Sequence, residues 1–278
     1  MKMKYVYSVW ILLALVPMLM AGADTAMKAT APQLSVAQIV EKNVSARGGL
    51  DRWRAVQTLG MKGKLQAGGN RRPTIPVPGT KISSEVKVNR PTEQAELPFV
   101  MALSRGKKKR LEIQFNGQTA IQVYDGTQGW KVRPFLNRHE VEKFTAEELK
   151  AASRESDLDG YLIDYAAKGS QVELVGVEQV EGRSAYKLKV TDKSGYAHHV
   201  WIDAQTFLEV KVEGEPRRLD GKYHPVAVFL RDYRSVNGLM MPYLLETTVE
   251  GVKETEKIEI QEIVSNPKLD ATQFAMPR

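Results

Sequence analysis

The side chains in this sequence that could do chemistry are four histidines, two acidic pairs and one basic run. The histidines are His139, His198, His199 and His224, and the chain has no cysteine. A zinc site draws on imidazole and thiolate ligands at close, regular spacing. His198 and His199 are adjacent, but neighbouring residues of a strand point to opposite faces, so the two rings cannot meet at one ion. A Gly-rich phosphate loop, a GxSxG elbow and an HExxH pair are all missing from the sequence. No metal and no cofactor is expected.

The acidic pairs are Asp157 with Asp159 and Glu147 with Glu148. Two carboxylates facing each other across a cleft can hydrolyse a glycosidic bond. Asp157 and Asp159, with His139, make the hydrolytic arrangement that the sequence permits. Acids near the start of helical segments more often serve as caps and dipole partners, and that structural reading is preferred here. Asp203, between Trp201-Ile202 and Ala204-Gln205, reads as a turn aspartate that accepts hydrogen bonds from nearby amides. The chain is therefore read as non-enzymatic.

Lys107, Lys108, Lys109 and Arg110, with Arg105 just before them, form the dense basic run. Such a run can meet phosphate or anionic lipid head groups, although it reads first as a solvated hairpin tip. No aromatic residue is interleaved with it, so no nucleic-acid partner is expected.

These residues must be positioned by regular elements, and the pattern of the chain indicates which. Lys2 and Lys4, the apolar stretch Tyr5–Met20 and the small residues Ala21-Gly22-Ala23 have the layout of a cleavable signal peptide covering residues 1–23. Pro17 interrupts the apolar run, and a spanning helix needs about 20 residues. Cleavage would remove two lysines and no acid from a chain of formal charge +7. Residues 24–34 are a flexible lead, and 35–278 are read as one exported domain.

Ser35 is a good N-cap, and Val36, Ile39, Val40 and Val44 follow at helical spacing until Gly48-Gly49. Leu50, Trp53 and Val56 carry the apolar stripe through a short second turn. From Leu59 onward the period changes to two, as in Thr119, Ile121 and Val123. Asn116-Gly117, Asp125-Gly126, Glu181-Gly182, Ser194-Gly195 and Asn237-Gly238 are hairpin signals. Loop 71–79, with Pro73, Pro76 and Pro78, cannot lie inside a central strand. Residues 144–168 break the β pattern: good helix formers follow Thr145, a second helical piece is expected through Leu158, Tyr161, Leu162 and Tyr165, and strands resume at Val172. The fold class is mainly β (α+β): a single curved antiparallel sheet with helices available to cover it.

Three stretches carry a resemblance. Trp201-Ile202-Asp203-Ala204-Gln205-Thr206 fits a W-x-D-x-x-T hairpin, and Tyr233 to Pro242, through Asn237-Gly238, fits Y-x-x-x-N-G-x-x-x-P. Asn266, Asp270 and Phe274 fit an N-x-x-x-D-x-x-x-F tail. In this order they resemble the outer-membrane lipoprotein-sorting superfamily of periplasmic carriers and receptors, LolA-like and LolB-like. The resemblance implies an unclosed half-barrel in the periplasm, with an apolar cavity for acyl chains beneath a helical lid. The expected partner is a lipid or an acylated protein, with envelope proteins as the alternative. The expected cavity residues are Ile121, Val123, Leu188, Val190, Val200, Ile202, Leu208 and Val210. The lid residues are Leu149, Leu158, Tyr161, Leu162 and Tyr165.

Overall fold

The computed structural model describes residues 34–68, 94–134, 137–219 and 221–277. The expected signal peptide, nearly all of the expected 24–34 lead and the expected loop 71–79 lie outside them.

The first element is helix α1, Val36–Ala46, which begins at a capping box: the Ser35 hydroxyl accepts from the Gln38 amide, and the Gln38 side chain accepts from the Ser35 amide. Ile39, Val40 and Asn43 form its buried face. Helix α2, Leu50–Ala55, follows after Gly48-Gly49. Gly48 has φ +112°, and a Cβ there would stand 2.2 Å from the Gly238 carbonyl oxygen. Only glycine lets the α1–α2 corner sit against the sheet in this way.

Thirteen strands follow. The first six are β1 (Thr58–Gly68), β2 (Gln94–Ser104), β3 (Lys108–Phe115), β4 (Gln118–Tyr124), β5 (Gly129–Arg133) and β6 (Arg138–Lys143). Then come helix α3 (Ala146–Glu155) and strands β7 (Gln171–Val180), β8 (Arg183–Thr191), β9 (Ala197–Asp203) and β10 (Glu209–Leu219). The last are β11 (Lys222–Val236), β12 (Leu239–Val249) and β13 (Glu256–Ser265). All join one antiparallel sheet, in the order β6-β5-β4-β3-β2-β1-β13-β12-β11-β10-β9-β8-β7. The expected single, unclosed antiparallel sheet is thus the fold. Each half is a meander of hairpins, and β1 pairs with β13 to join them, with Leu59 opposite Ser265 and Met61 opposite Ile263. The open edges are β6 and β7. The chain passes from one to the other through α3 and a crossover, residues 156–170.

Helices and crossover cover one face, here the inner face. On the central strands Trp53, Val56, Leu158 and Ile163 pack against Leu59, Phe99, Leu103, Leu239, Met241 and Ile260. On β8 and β9, Ile39, Val40 and Leu162 pack against Leu188, Val190, Val200 and Ile202. A 3-10 turn at Ala271–Phe274 covers part of the opposite, outer face, with Phe274 packed on Ala102, Val123 and Trp130.

The second helical piece expected within 144–165 does not form. Helix α3 ends at Glu155, and the crossover is a chain of turns in which Gly160 and Asp164 take left-handed φ of +76° and +52°. Those backbone angles cannot belong to a right-handed helix. Leu158, Leu162 and Ile163 are nonetheless buried, because turns placed on a sheet can insert side chains as well as a helix can.

Candidate functional site

The apolar surface nearest the expected cavity is the inner face of β8 and β9. Register places Leu188 opposite Val200 and Tyr186 opposite Ile202, so their side chains share one face. Leu162 from the crossover and Ile39 from α1 insert against it, and Leu162, Ile39, Leu188, Val200 and Ile202 are all 0% exposed. Tyr161 and Tyr165 pack at the edge of this cluster, and Leu158 joins the neighbouring one. Leu149, half-buried on α3, belongs to neither cluster.

The remaining expected cavity residues lie elsewhere, and the idea of one shared concave surface is corrected. Ile121 and Val123 lie on the outer face with Trp130 and Phe274. The register requires this: Val123 pairs with Arg110 and Arg110 with Ala102, which is out of phase with the inner-face residues Phe99 and Leu103. Val210 also packs outward, against Trp201, Ala185 and Val180, because a bulge between Glu209 and Lys211 shifts the phase of β10. Val212, which pairs with Val200, takes the inner position instead. Leu208 precedes β10, in the turn that Asp203 organises.

Buried charges fasten the crossover to the sheet. Asp159, 1% exposed, accepts from Arg105 at 2.7 Å and from Lys168 at 2.5 Å. Arg105 also donates to the Val56 and Trp53 carbonyls, so one guanidinium joins the crossover to the end of α2. Arg47 donates to the Asp159 carbonyl at 3.0 Å, lies 3.4 Å from Glu209 and covers the Trp53 ring at 4.4 Å. Burial pushes the Asp159 carboxyl up, but its hydrogen bond with Asp157 and its ion pairs with Lys168 and Arg105 outweigh this and hold it below the usual range. Burial and the same contact with Asp159 push Asp157 up. These latches are not foreseen in the sequence reading, although an arginine before Gly48-Gly49 and an aspartate before Gly160 are the places where a chain corner needs one.

The hydrolytic arrangement does not assemble. Asp157 and Asp159 are held by Lys168 and Arg105, whereas His139 stands exposed on the edge strand β6. Asp203 is the turn aspartate it was read to be, accepting from the Gln205 and Thr206 amides and the Thr206 hydroxyl at 2.9, 2.8 and 3.1 Å. His198 and His199 point to opposite faces. His198 is buried against Tyr161, and His199 meets Glu213 at 2.6 Å. His224 approaches the Glu250 carbonyl at 3.0 Å.

The basic run splits between faces. Arg105 joins the latch, Lys109 reaches Glu155 of α3, and Arg110 pairs with Glu112. Two concavities adjoin these residues. A cleft of about 400 Å³ lies between α3, the crossover and the β8–β9 turn, and includes Lys107, Tyr161, Val190 and His198. A groove of about 810 Å³ on the outer face runs between Ile121, Arg110 and Met276. No helix among the described residues is long and apolar enough to cross a membrane.

No protein-family model and no curated protein matches this chain. Solved structures do. A LolA superfamily protein from Nitrosomonas europaea aligns over 87% of this chain and 98% of its own, with 10% identity and a TM-score of 0.54. A DUF1329 family protein from Desulfovibrio piger aligns over 86% and 96%, at 14% identity and a TM-score of 0.52. A putative outer membrane lipoprotein-sorting protein domain from Vibrio parahaemolyticus aligns over 85% and 94%, at 12% identity and a TM-score of 0.51. The unclosed sheet with its covering helices and crossover is therefore the fold of LolA superfamily and lipoprotein-sorting proteins.

Proposed function

We propose that the protein is a carrier or sensor of the bacterial periplasm that accepts the acyl chains of a lipoprotein or lipid between the crossover and the inner face of β8 and β9. The observation that supports this is the construction of that interface. A run of turns, residues 158–165, fills the inner face of an unclosed sheet with Leu162 and Ile163, both 0% exposed. The fold shared with lipoprotein-sorting proteins supports the choice of an acylated ligand. Each such side chain contributes roughly 1.5–3 kcal/mol when buried, and an acyl chain in the same place would replace that contribution. The apolar part of such an exchange is close to balanced, which leaves the ion pairs of Asp159 as the main hold on the crossover.

The test is hydrogen exchange with and without an acylated peptide, using the same peptide without its acyl chain as control. Amides 156–165 should change protection with the acylated peptide alone, while those of β8 remain unchanged. Equal, unaltered protection in both segments would make the crossover fixed core and would defeat the carrier reading.

A second reading is an envelope protein-interaction module. It is favoured by the open edge strand β7, whose Val175 and Val177 are 53% and 51% exposed, where a partner strand could add to the sheet.

A further inference from the structure

The cleft of about 400 Å³ beside Tyr161 is built unlike the apolar interface it adjoins. At its floor is His198, 3% exposed, and both ring nitrogens are buried without a hydrogen-bond partner among the described residues. The ring is held by Tyr161, 4.0 Å away between centroids, and by Tyr196 at 6.0 Å. Buried polar atoms are nearly always paired, so an imidazole fixed by packing and left with both nitrogens open marks the place of a ligand atom.

The cleft walls carry positive charge from three separate elements. Lys107 comes from the β2–β3 turn, Lys150 from α3 and Lys193 from the β8–β9 turn. None has an ion-pair or hydrogen-bond partner among the described residues. The other charges of the cleft are already engaged. Arg154 pairs with Glu215 at 2.6 Å, Lys168 pairs with Asp157 and Asp159, and Asp192 accepts from the Ser194 hydroxyl and amide. What remains unpaired on the cleft walls is three ammonium groups, above a buried imidazole with no hydrogen-bond partner of its own.

We propose that this cleft binds the phosphate group of an anionic amphiphile, with Lys107, Lys150, Lys193 and His198 as donors to its oxygens and the acyl chain entering beside Tyr161 and Val190. A phosphate monoester carries up to two charges and three acceptor oxygens, which suits several ammonium donors better than a single carboxylate would. Tyr161 and Val190 belong both to the cleft and to the apolar cluster on β8 and β9, so head group and chain have adjoining sites. The inference rests on the carrier reading and names its substrate class.

The test is calorimetric titration of the purified protein with three probes below their micelle concentrations: oleoyl lysophosphatidic acid, monooleoylglycerol and inorganic phosphate. The phosphate-bearing amphiphile should bind about tenfold or more tighter than the neutral one, and phosphate alone more weakly than either, since each charge-assisted contact adds to the chain's affinity. In the K107Q/K150Q/K193Q variant the tenfold preference should collapse to within about twofold of unity. His198→Phe, which keeps the ring packing on Tyr161, should lower it by a smaller factor, and ligand should shift the His198 ring nitrogen resonances in the unaltered protein. Equal affinity for the two amphiphiles, or a preference that survives the triple variant, would overturn the phosphate site and leave the carrier reading standing. Binding of phosphate alone as tight as the lipid would make the cleft a site for free phosphate and overturn the amphiphile. Binding of no probe would defeat the carrier reading and this inference with it.

Discussion

The latch at Asp159 bears most directly on whether the crossover can move, and its removal has a calculable effect. In Asp159→Asn, Arg105 and Lys168 lose a carboxylate that is 1% exposed and that they contact at 2.7 and 2.5 Å. Breaking a buried ion pair by removing one partner costs about 3–5 kcal/mol, because a charge is left without compensation. Here the cations' side chains are 33% and 24% exposed, so water screens part of that loss. Arg105 also keeps its bonds to the Trp53 and Val56 carbonyls. The discounted cost is about 2 kcal/mol. It should be local, falling on residues 156–169 and not on the strands beneath them. Hydrogen exchange should therefore show the crossover amides opening about thirtyfold more often, with β12 and β13 nearly unchanged. Acyl loading should become faster in the same variant. A double-mutant cycle with Arg105→Met should return a coupling of about 1–2 kcal/mol. Unchanged crossover exchange, with a coupling near zero, would refute the idea that this ion pair fastens the segment.

Other expectations follow from the same geometry. Burial pushes His198 down from 6.5 to about 4, with Glu213 and Asp192 opposing and His199 adding to the effect. The unfolded chain then binds a proton below about pH 6.5 that the folded protein refuses until about pH 4. Ligand-free stability should fall by up to roughly 3 kcal/mol across that window, and remain flat above it. Urea titrations at stepped pH should show this slope, and His198→Phe should remove it. Val190→Glu, on the inner face at 1% exposure, should cost several kcal/mol or abolish acyl uptake, since an unpaired charge there has no partner. Ile121→Glu, on the outer face beside Arg110, should leave acyl uptake unchanged, and a loss of uptake in that folded variant would show that the two faces had been wrongly separated.

Local features of the chain were legible in the sequence. Ser35 and Gln38 set the start of α1, Asn116-Gly117 and Asn237-Gly238 make hairpins, and Asp203 organises its own turn, because each depends on residues within a few positions. The alternation of Tyr186, Leu188 and Val190 against Val200 and Ile202 placed those side chains correctly on one face. The resemblance of the carboxy-terminal half pointed to the fold that the solved structures share.

What the sequence determined by itself, then, was the strands, the turns and the single antiparallel sheet, since period-two alternation and turn chemistry are short-range. Only the tertiary structure decided which apolar stripe faces the helices. A stripe such as Ile121 and Val123 reads the same whether it meets the crossover or Phe274, and the choice depends on pairing between residues as distant as Met61 and Ile263. One bulge between Glu209 and Lys211 turned Val210 outward and Val212 inward, because every residue beyond an inserted one changes face. The Arg47, Arg105 and Asp159 latches were likewise decided only in three dimensions. Buried ions persist where partners from remote segments converge on them, and such convergence has no signature in linear spacing.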